Sequence, residues 1–239
     1  MLEKDYYKGK KDRCFILATG PSLSEVDLSL LENEITIGVS TIQKSGFVPD
    51  YVVISDPTMV EEYPDWVFTG KEKIKHYIMG YLPGFPLGPN TKQRIEKFGN
   101  TTEVPSREKT NEEVLPLLER TVEVCRRNYY IDSDLNQFSV HGGSVVQDLA
   151  VPTAVHLGFK EIYLVGVDGG WRHFYANHPD GEDRRMDKWL GQYGEQRPGH
   201  NFIVVKEVLN EMGIEIYNSS PSNRFEELEY KELNKVIGE

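Results

Sequence analysis

The sequence predicts an α/β fold built on a mostly parallel sheet with helices on both faces, and three observations point to it. The run Arg13 to Ala18 (RCFILA) is largely apolar along its length, the pattern of a strand covered on both sides. Segments with helical spacing alternate with further short apolar runs, which is the order of βα units. Three successive predicted strands end in a polar residue or cluster followed by a helix or turn signal, gathering small polar groups at the edge where open parallel sheets bind ligands.

Residues 1–12 are polar and are expected to form an arm. The first strand runs straight into Thr19-Gly20-Pro21-Ser22-Leu23. Gly20 lets the backbone turn and approach a ligand, while Ser22 is a candidate cap for the next helix and Ser24 its competitor. An ordinary βα turn accounts for the same residues. A second strand, Ile35 to Val39, ends at Ser40-Thr41, and a third, Asp50 to Ile54, ends at Ser55-Asp56-Pro57. Asp56 either caps a helix opened by Pro57 or faces the cleft as a hydrogen-bond acceptor or metal ligand. Lys73 to Met79 reads as a strand near the sheet edge, and 80–108 as a long Gly- and Pro-rich loop with a short helix at 92–98. A helix is expected over 111–127, with Val114, Leu115, Leu118, Val122 and Cys125 along one side.

The chain is organised around Gly142 to Trp171. A short strand, Phe138 to Val140, leads into His141-Gly142-Gly143-Ser144 and a helix that Pro152 should kink or begin and that stops at Gly158. The strand Ile162 to Val167 follows and ends in Asp168-Gly169-Gly170. Unpaired N–H groups at the helix start and a carboxylate at the strand tip direct both ends of this unit to one small-molecule site. After Asp168 the composition shifts to Trp, Tyr, His and Arg without an apolar period, so 169–199 is expected as a lid, with a surface insertion as the alternative. Gly199-His200-Asn201 precedes a helix over Phe202 to Met212, with Phe202, Val205, Val208, Leu209 and Met212 inward, and Gly213 ends it. The last strand, Ile214 to Tyr217, ends in Asn218-Ser219-Ser220-Pro221, and Glu226 to Ile237 is a terminal helix. One domain over 1–239 is expected.

Lys and Arg number 27 against 38 Asp and Glu, a net charge of −11, which excludes a nucleic-acid surface built on clustered cations. Two cysteines give neither a disulfide framework nor metal-ligand spacing. With no apolar leader and no long apolar run, a soluble cytoplasmic protein without an integral membrane segment is expected. GxxxxGK[ST], a full GxGxxG and GxSxG are all missing, which weighs against ATP hydrolysis, dinucleotide binding and a serine nucleophile. The strand-end groups are mostly small neutral donors and acceptors, suited to positioning a sugar nucleotide. Of six histidines, His76 and His156 read as packing residues. His200 stands before a helix, where a neutral imidazole can take a proton from an alcohol, a role worth about 10² to 10⁴ in rate. A cap or surface residue is the competing reading there.

TGPSL at 19–23, SDP at 55–57, GGS at 142–144, LGFKEIYLVGVD at 157–168 and GH at 199–200 before a helix and the strand IEIYN occur in this order. The set resembles the bacterial lipooligosaccharide sialyltransferases and the motility-accessory-factor-like glycosyltransferases, across most of Arg13 to Pro221 with 80–135 unmatched. The resemblance implies a Rossmann-like inverting glycosyltransferase with a CMP-activated nonulosonic acid as donor and a glycan or protein hydroxyl as acceptor. It implies that His200 is the general base, that Gly20, Pro21, Ser22, Gly143 and Ser144 hold the nucleotide, and that no cofactor is required. Thr19, Ser40, Asp56, Gly142, Asp168 and Asn218 complete the expected donor site. The lid candidates are Trp171, Arg172, Tyr175, Tyr193 and Arg197, with Arg184 a further cation for the phosphate. A homo-oligomer is compatible with all of this. Thr19, Ser40 and Asp56 stand where the sialyltransferases carry Asn. A carboxylate at 56 repels an anionic donor unless it is protonated, bridged by a cation or turned to a hydroxyl, so a divalent metal is possible through Asp56. Two rival readings are a Mg²⁺-dependent pterin pyrophosphokinase-like enzyme, with Asp56 and Asp168 as ligands, and a nucleotide-sugar-binding module without activity.

Overall fold

The structure is a computed structural model that describes residues 2–55, 59–60, 63–81, 100–105, 129–137, 145–169, 173–175, 202–222 and 224–238. Eight strands are formed among them: β1 (Arg13–Leu17), β2 (Thr36–Val39), β3 (Tyr51–Ile54), β4 (His76–Tyr81), β5 (Thr101–Pro105), β6 (Glu161–Val165), β7 (Glu215–Asn218) and β8 (Glu229–Tyr230). They make one sheet in the order β5-β4-β3-β2-β1-β6-β7-β8, and every neighbouring pair is parallel. The described α-helices are α1 (Pro64–Val67), α2 (Val151–Leu157), α3 (Phe202–Glu211) and α4 (Leu233–Gly238), with 3₁₀ turns at Pro21–Glu25, Leu28–Leu31 and Ile42–Ser45. This is the α/β, Rossmann-like architecture that the sequence predicts.

Alternation along β1 sends Cys14, Ile16 and Ala18 to one face and Phe15 and Leu17 to the other. The first face is covered through Leu149, Ala154 and Leu157 of the α2 region and Phe202 and Leu209 of α3. The second is covered through Leu23 and Leu31 of the 3₁₀ turns and Leu233 and Val236 of α4. β3 divides the same way: Tyr51 and Val53 join the first face, while Val52 and Ile54 pack with Val67 of α1. Both faces of the central strands are dry, so these strands read as apolar runs. A ladder of Phe15, Tyr163 and Tyr217, stacked at 5.1 and 5.0 Å, ties β1, β6 and β7 together on the second face.

Pro152 marks a helix start, one of the two expectations for it. It lies in the first turn of α2, and a π-helical turn, Val146–Ala150, precedes it, with the Val151 N–H donating to the Val146 carbonyl. Widening the turn just before the ring accommodates the missing N–H without ending the helix. Gly158 closes α2 at φ 90°.

Other expectations are corrected. The N-terminal segment is a docked turn: Tyr7 is buried and stacks on Phe159 at 4.9 Å, and the amides of Asp5 and Tyr7 donate to the carbonyls of His156 and Leu157 (2.8 and 2.9 Å). β4 lies near the sheet edge as expected, with β5 pairing outside it. β5 lies inside the stretch read as loop; its sequence TTEVP has one buried residue, Val104, and ends in proline, so it lacks a strand's usual signal. The terminal helix is shorter than expected, since Glu229 and Tyr230 form β8 before α4 begins. α3 buries Phe202, Val204, Val205 and Leu209, and Met212 is exposed beyond its end. The strand at 138–140 and the helices at 92–98 and 111–127 lie outside the described residues.

His76 and His156 are packing residues. His156 is buried and places Nδ1 2.9 Å from the Ser133 carbonyl oxygen. His76, on β4, has Nε2 2.8 Å from Thr102 Oγ1 of β5, and burial lowers its pKa to about 4.

Candidate functional site

The strand order reverses between β1 and β6, with β2 to β5 on one side and β7 and β8 on the other. At such a switch point a crevice opens outside the carboxyl ends of the two central strands. The turn after β1 and the loop after β6 meet there and are tied together. The Gly20 N–H donates to the Gly166 carbonyl at 2.9 Å. The Ser22 N–H donates to Asp168 Oδ2 at 2.7 Å, and the Ser22 hydroxyl to Oδ1 at 2.5 Å. Ser222, from the loop after β7, donates its hydroxyl to the same Oδ1 at 2.5 Å. Asp168, 7% exposed, therefore accepts three hydrogen bonds from two other loops, as a buried carboxylate requires.

This geometry revises the expected roles of the turn. Ser22 does not cap a helix: Gly20 occupies the cap position without a side-chain bond, Ser24 donates to the Pro21 carbonyl (2.8 Å), and a short 3₁₀ turn follows. Glycine at 20 is required by the chain's own approach, because a Cβ there would overlap Asp168 Oδ2 and stand 2.5 Å from the Gly166 carbonyl oxygen. Gly166 has φ +69° and a Cβ position 2.7 Å from the Ala18 carbonyl oxygen, so it too is demanded by the contact. The amides of Gly20, Ser22 and Leu23 donate to Gly166, Asp168 and Gly20, and residue 21 is proline. These three amides are engaged within the protein.

A second set of contacts crosses the tips of β1 and β2. Thr19 Oγ1 lies 2.7 Å from His173 Nδ1, the Phe174 N–H donates to the Thr19 carbonyl at 2.8 Å, and Thr41 Oγ1 lies 2.8 Å from the Tyr175 hydroxyl. Tyr175 stacks on His173 with centroids 4.9 Å apart. The Lys44 ammonium sits 3.3 Å from the Trp66 ring centroid and 4.2 Å from that of Tyr175, and Tyr63 backs Trp66 at 4.3 Å. Such cation–π contacts each contribute about 0.5–2 kcal/mol, depending on desolvation. Residues 173–175 thus strap the expected lid's first part onto the rim.

Ser40 ends β2 in the left-handed region, φ 54°, with its N–H donating to the Val53 carbonyl at 2.9 Å. Asn218 ends β7 fully buried, its Oδ1 accepting the Ser220 N–H at 2.9 Å, so it shapes the loop after β7. Thr19, Gly20, Pro21, Ser22 and Asp168 therefore converge at the β1/β6 tips, Ser40 and Tyr175 belong to the neighbouring β2 tip, and Asn218 is turned inward. Asp56, Gly142, Gly143, Ser144, Trp171, Arg172, Arg184, Tyr193, Arg197 and His200 lie outside the described residues. Among the described residues no group of three or more His, Cys, Asp or Glu could hold a metal ion, and no helix is long and apolar enough to cross a membrane.

No protein-family model matches the chain, and no curated protein matches it. Among solved structures, the MAf glycosyltransferase from Magnetospirillum magneticum AMB-1 is similar, with a TM-score of 0.56 and 14% sequence identity over 98% of this chain. The likeness is one of fold. This chain spans 35% of the length of that neighbour.

Several rim residues escaped the sequence reading. Lys44 and Trp66 carried no motif, and their pairing depends on tertiary packing alone. Gly166 lies inside the LVGVD string, where the sequence alone reads it as part of a strand. Ser222 and Arg224 follow the polar cluster at the β7 tip by only a few residues. The signal was the polar stretch itself, which continues past Pro221.

Proposed function

We propose that the protein is an inverting glycosyltransferase that uses a CMP-activated nonulosonic acid, sialic-acid-like, to modify a glycan or protein hydroxyl. The observation that carries this reading is the junction of Ser22 with Asp168, 146 residues apart in sequence, at the β1/β6 switch point. It joins the TGPSL turn to the end of the LGFKEIYLVGVD segment, two of the five ordered stretches on which the likeness to the sialyltransferases rests. A fold shared with a MAf glycosyltransferase supports the reaction class.

In this reading the donor lies over the tips of β1 and β6, framed by Thr19 to Ser22. Asp168 holds that frame in shape, and Ser40 and Asn218 set the backbone at the two flanking strand tips. His200 takes the proton of the acceptor hydroxyl. The acceptor oxygen bonds to the anomeric carbon as the bond to the phosphate oxygen breaks, and CMP departs with the electron pair. Gly142, Gly143 and Ser144 contribute donors to the nucleotide, and Trp171, Arg172, Tyr175, Tyr193 and Arg197 close over it. The pterin pyrophosphokinase reading is weakened because Asp168, one of its two expected Mg²⁺ ligands, already receives three hydrogen bonds from Ser22 and Ser222.

Thermal shifts with CMP, ATP and Mg²⁺ separate the readings. CMP is expected to stabilise the protein without metal, whereas stabilisation only by ATP with Mg²⁺ would point to pyrophosphate transfer. His200→Ala is expected to retain CMP binding and lose transfer; surviving activity would remove His200 as the base. A wild type that binds CMP yet neither transfers nor hydrolyses any CMP-sugar would be a binding module.

A further inference from the structure

We propose that Arg224 is the cation that receives the phosphate of a bound nucleotide at the β1/β6 tips. This rests on the reading of that edge as a nucleotide site, but the residue comes from the structure and lies outside every motif that suggested the site.

The need for such a group follows from the turn itself. A glycine-rich turn usually holds phosphate with its main-chain amides. Here the amides of Gly20, Ser22 and Leu23 are engaged by the protein's own acceptors, and position 21 supplies none. Beside them stands the Asp168 carboxylate, whose three donors are a neutral amide and two hydroxyls. Hydrogen bonds from neutral groups satisfy the carboxylate while leaving its negative charge in place, and that charge repels an approaching phosphate. The tip therefore requires a positive group that Asp168 does not itself bind through its carboxylate.

Arg224 meets that description. Its Nη1 lies 3.4 Å from the main-chain carbonyl oxygen of Asp168, and the residue is exposed. The carboxylate of the same residue is turned to Ser22 and Ser222 instead. No ion pair involves Arg224 among the described residues, although acidic residues outnumber basic ones in the chain. Its backbone is anchored by the next residue: Phe225 is buried, packs edge-on against Phe202 at 4.7 Å, and closes over Gly169. A guanidinium anchored at its root, steadied through one nitrogen by the Asp168 carbonyl and left out of any ion pair among the described residues, stands at the β1/β6 tips and is suited to binding phosphate oxygens.

The experiment compares binding of 5′-CMP, 5′-UMP, 5′-AMP and 5′-GMP, and of the four matching nucleosides, to wild type, Arg224→Gln and Arg224→Lys by calorimetry in metal-free buffer. For whichever nucleotide binds wild type, Arg224→Gln is expected to weaken it about tenfold or more, the scale of a lost charge-assisted hydrogen bond, with nucleoside affinity unchanged. Arg224→Lys falls between the two, because it keeps the charge and loses the fork. Arg224 is exposed, so the unliganded variants should melt as wild type does. Unchanged nucleotide affinity in Arg224→Gln, or an equal loss for nucleotide and nucleoside, overturns the proposal. Preference for a base other than cytosine with the Arg224 effect intact refutes the CMP donor and sustains Arg224. If wild type binds none of the four nucleotides, both fall.

Discussion

Gly20 has no room for a side chain, and this sets the first test at the level of single residues. In Gly20→Ala the new methyl group meets Asp168 Oδ2 and the Gly166 backbone, neither of which can retreat without opening the β1/β6 junction. Chemical denaturation should show a loss of about 1–3 kcal/mol, the usual range for overpacking. Asp168→Asn keeps the size but removes the charge that receives the Ser22 and Ser222 hydroxyls. It should cost about 1.5–3 kcal/mol on the same assay. Ser40 offers the opposite sign. Its φ of 54° disfavours most side chains, whereas Asn and Gly tolerate that conformation. Ser40→Asn should therefore hold or raise stability, and Ser40→Val should lower it by about 1–2 kcal/mol. Single residues were the least legible part of the sequence. Gly20, Ser22 and Asp168 were named, but the reason for the glycine, a close approach between two loops, depends on residues 146 positions away and on no local pattern.

Among elements, the β4/β5 pair carries a pH dependence. The folded pKa of His76 lies near 4, below its ordinary value of 6.5, so the unfolded chain binds a proton between those values and the folded chain does not. Stability from this group is complete above pH 6.5 and is lost as the pH falls towards 4. His76→Gln should flatten that part of the acid limb when unfolding free energy is measured against pH; an unchanged slope would show that His76 is free to titrate. The 173–175 strap belongs to the same scale. Tyr175→Phe removes the Thr41 bond and leaves the ring on Lys44 and His173, so the Phe174 amide should exchange hydrogen faster while β1 amides do not. The elements most easily read were strands dry on both faces, because burial on both sides leaves a sequence little freedom to include polar residues. β5 and β8 were missed because an edge strand with one buried residue, or with none, has no such constraint. The π-turn before Pro152 was anticipated only as a kink.

For the whole molecule, the fold was legible because parallel βα units leave a strong periodic trace and their tips a polar one. Strand order was not, since it depends on how the crossovers return to the sheet. The order places the switch point between β1 and β6 and gives the TGPSL turn and Asp168 a common location. In the proposed function this edge binds CMP, and the enzyme transfers the sugar that CMP carries. Its most direct test follows CMP release from a CMP-linked nonulosonic acid, such as CMP-sialic acid, by wild type and His200→Ala in chelator-treated buffer. The prediction is metal-independent turnover by wild type that falls by about 10²-fold or more in the variant, with CMP affinity retained. A wild type that releases no CMP from any member of a panel of such donors, or that does so only with added divalent metal and equally well without His200, would contradict it.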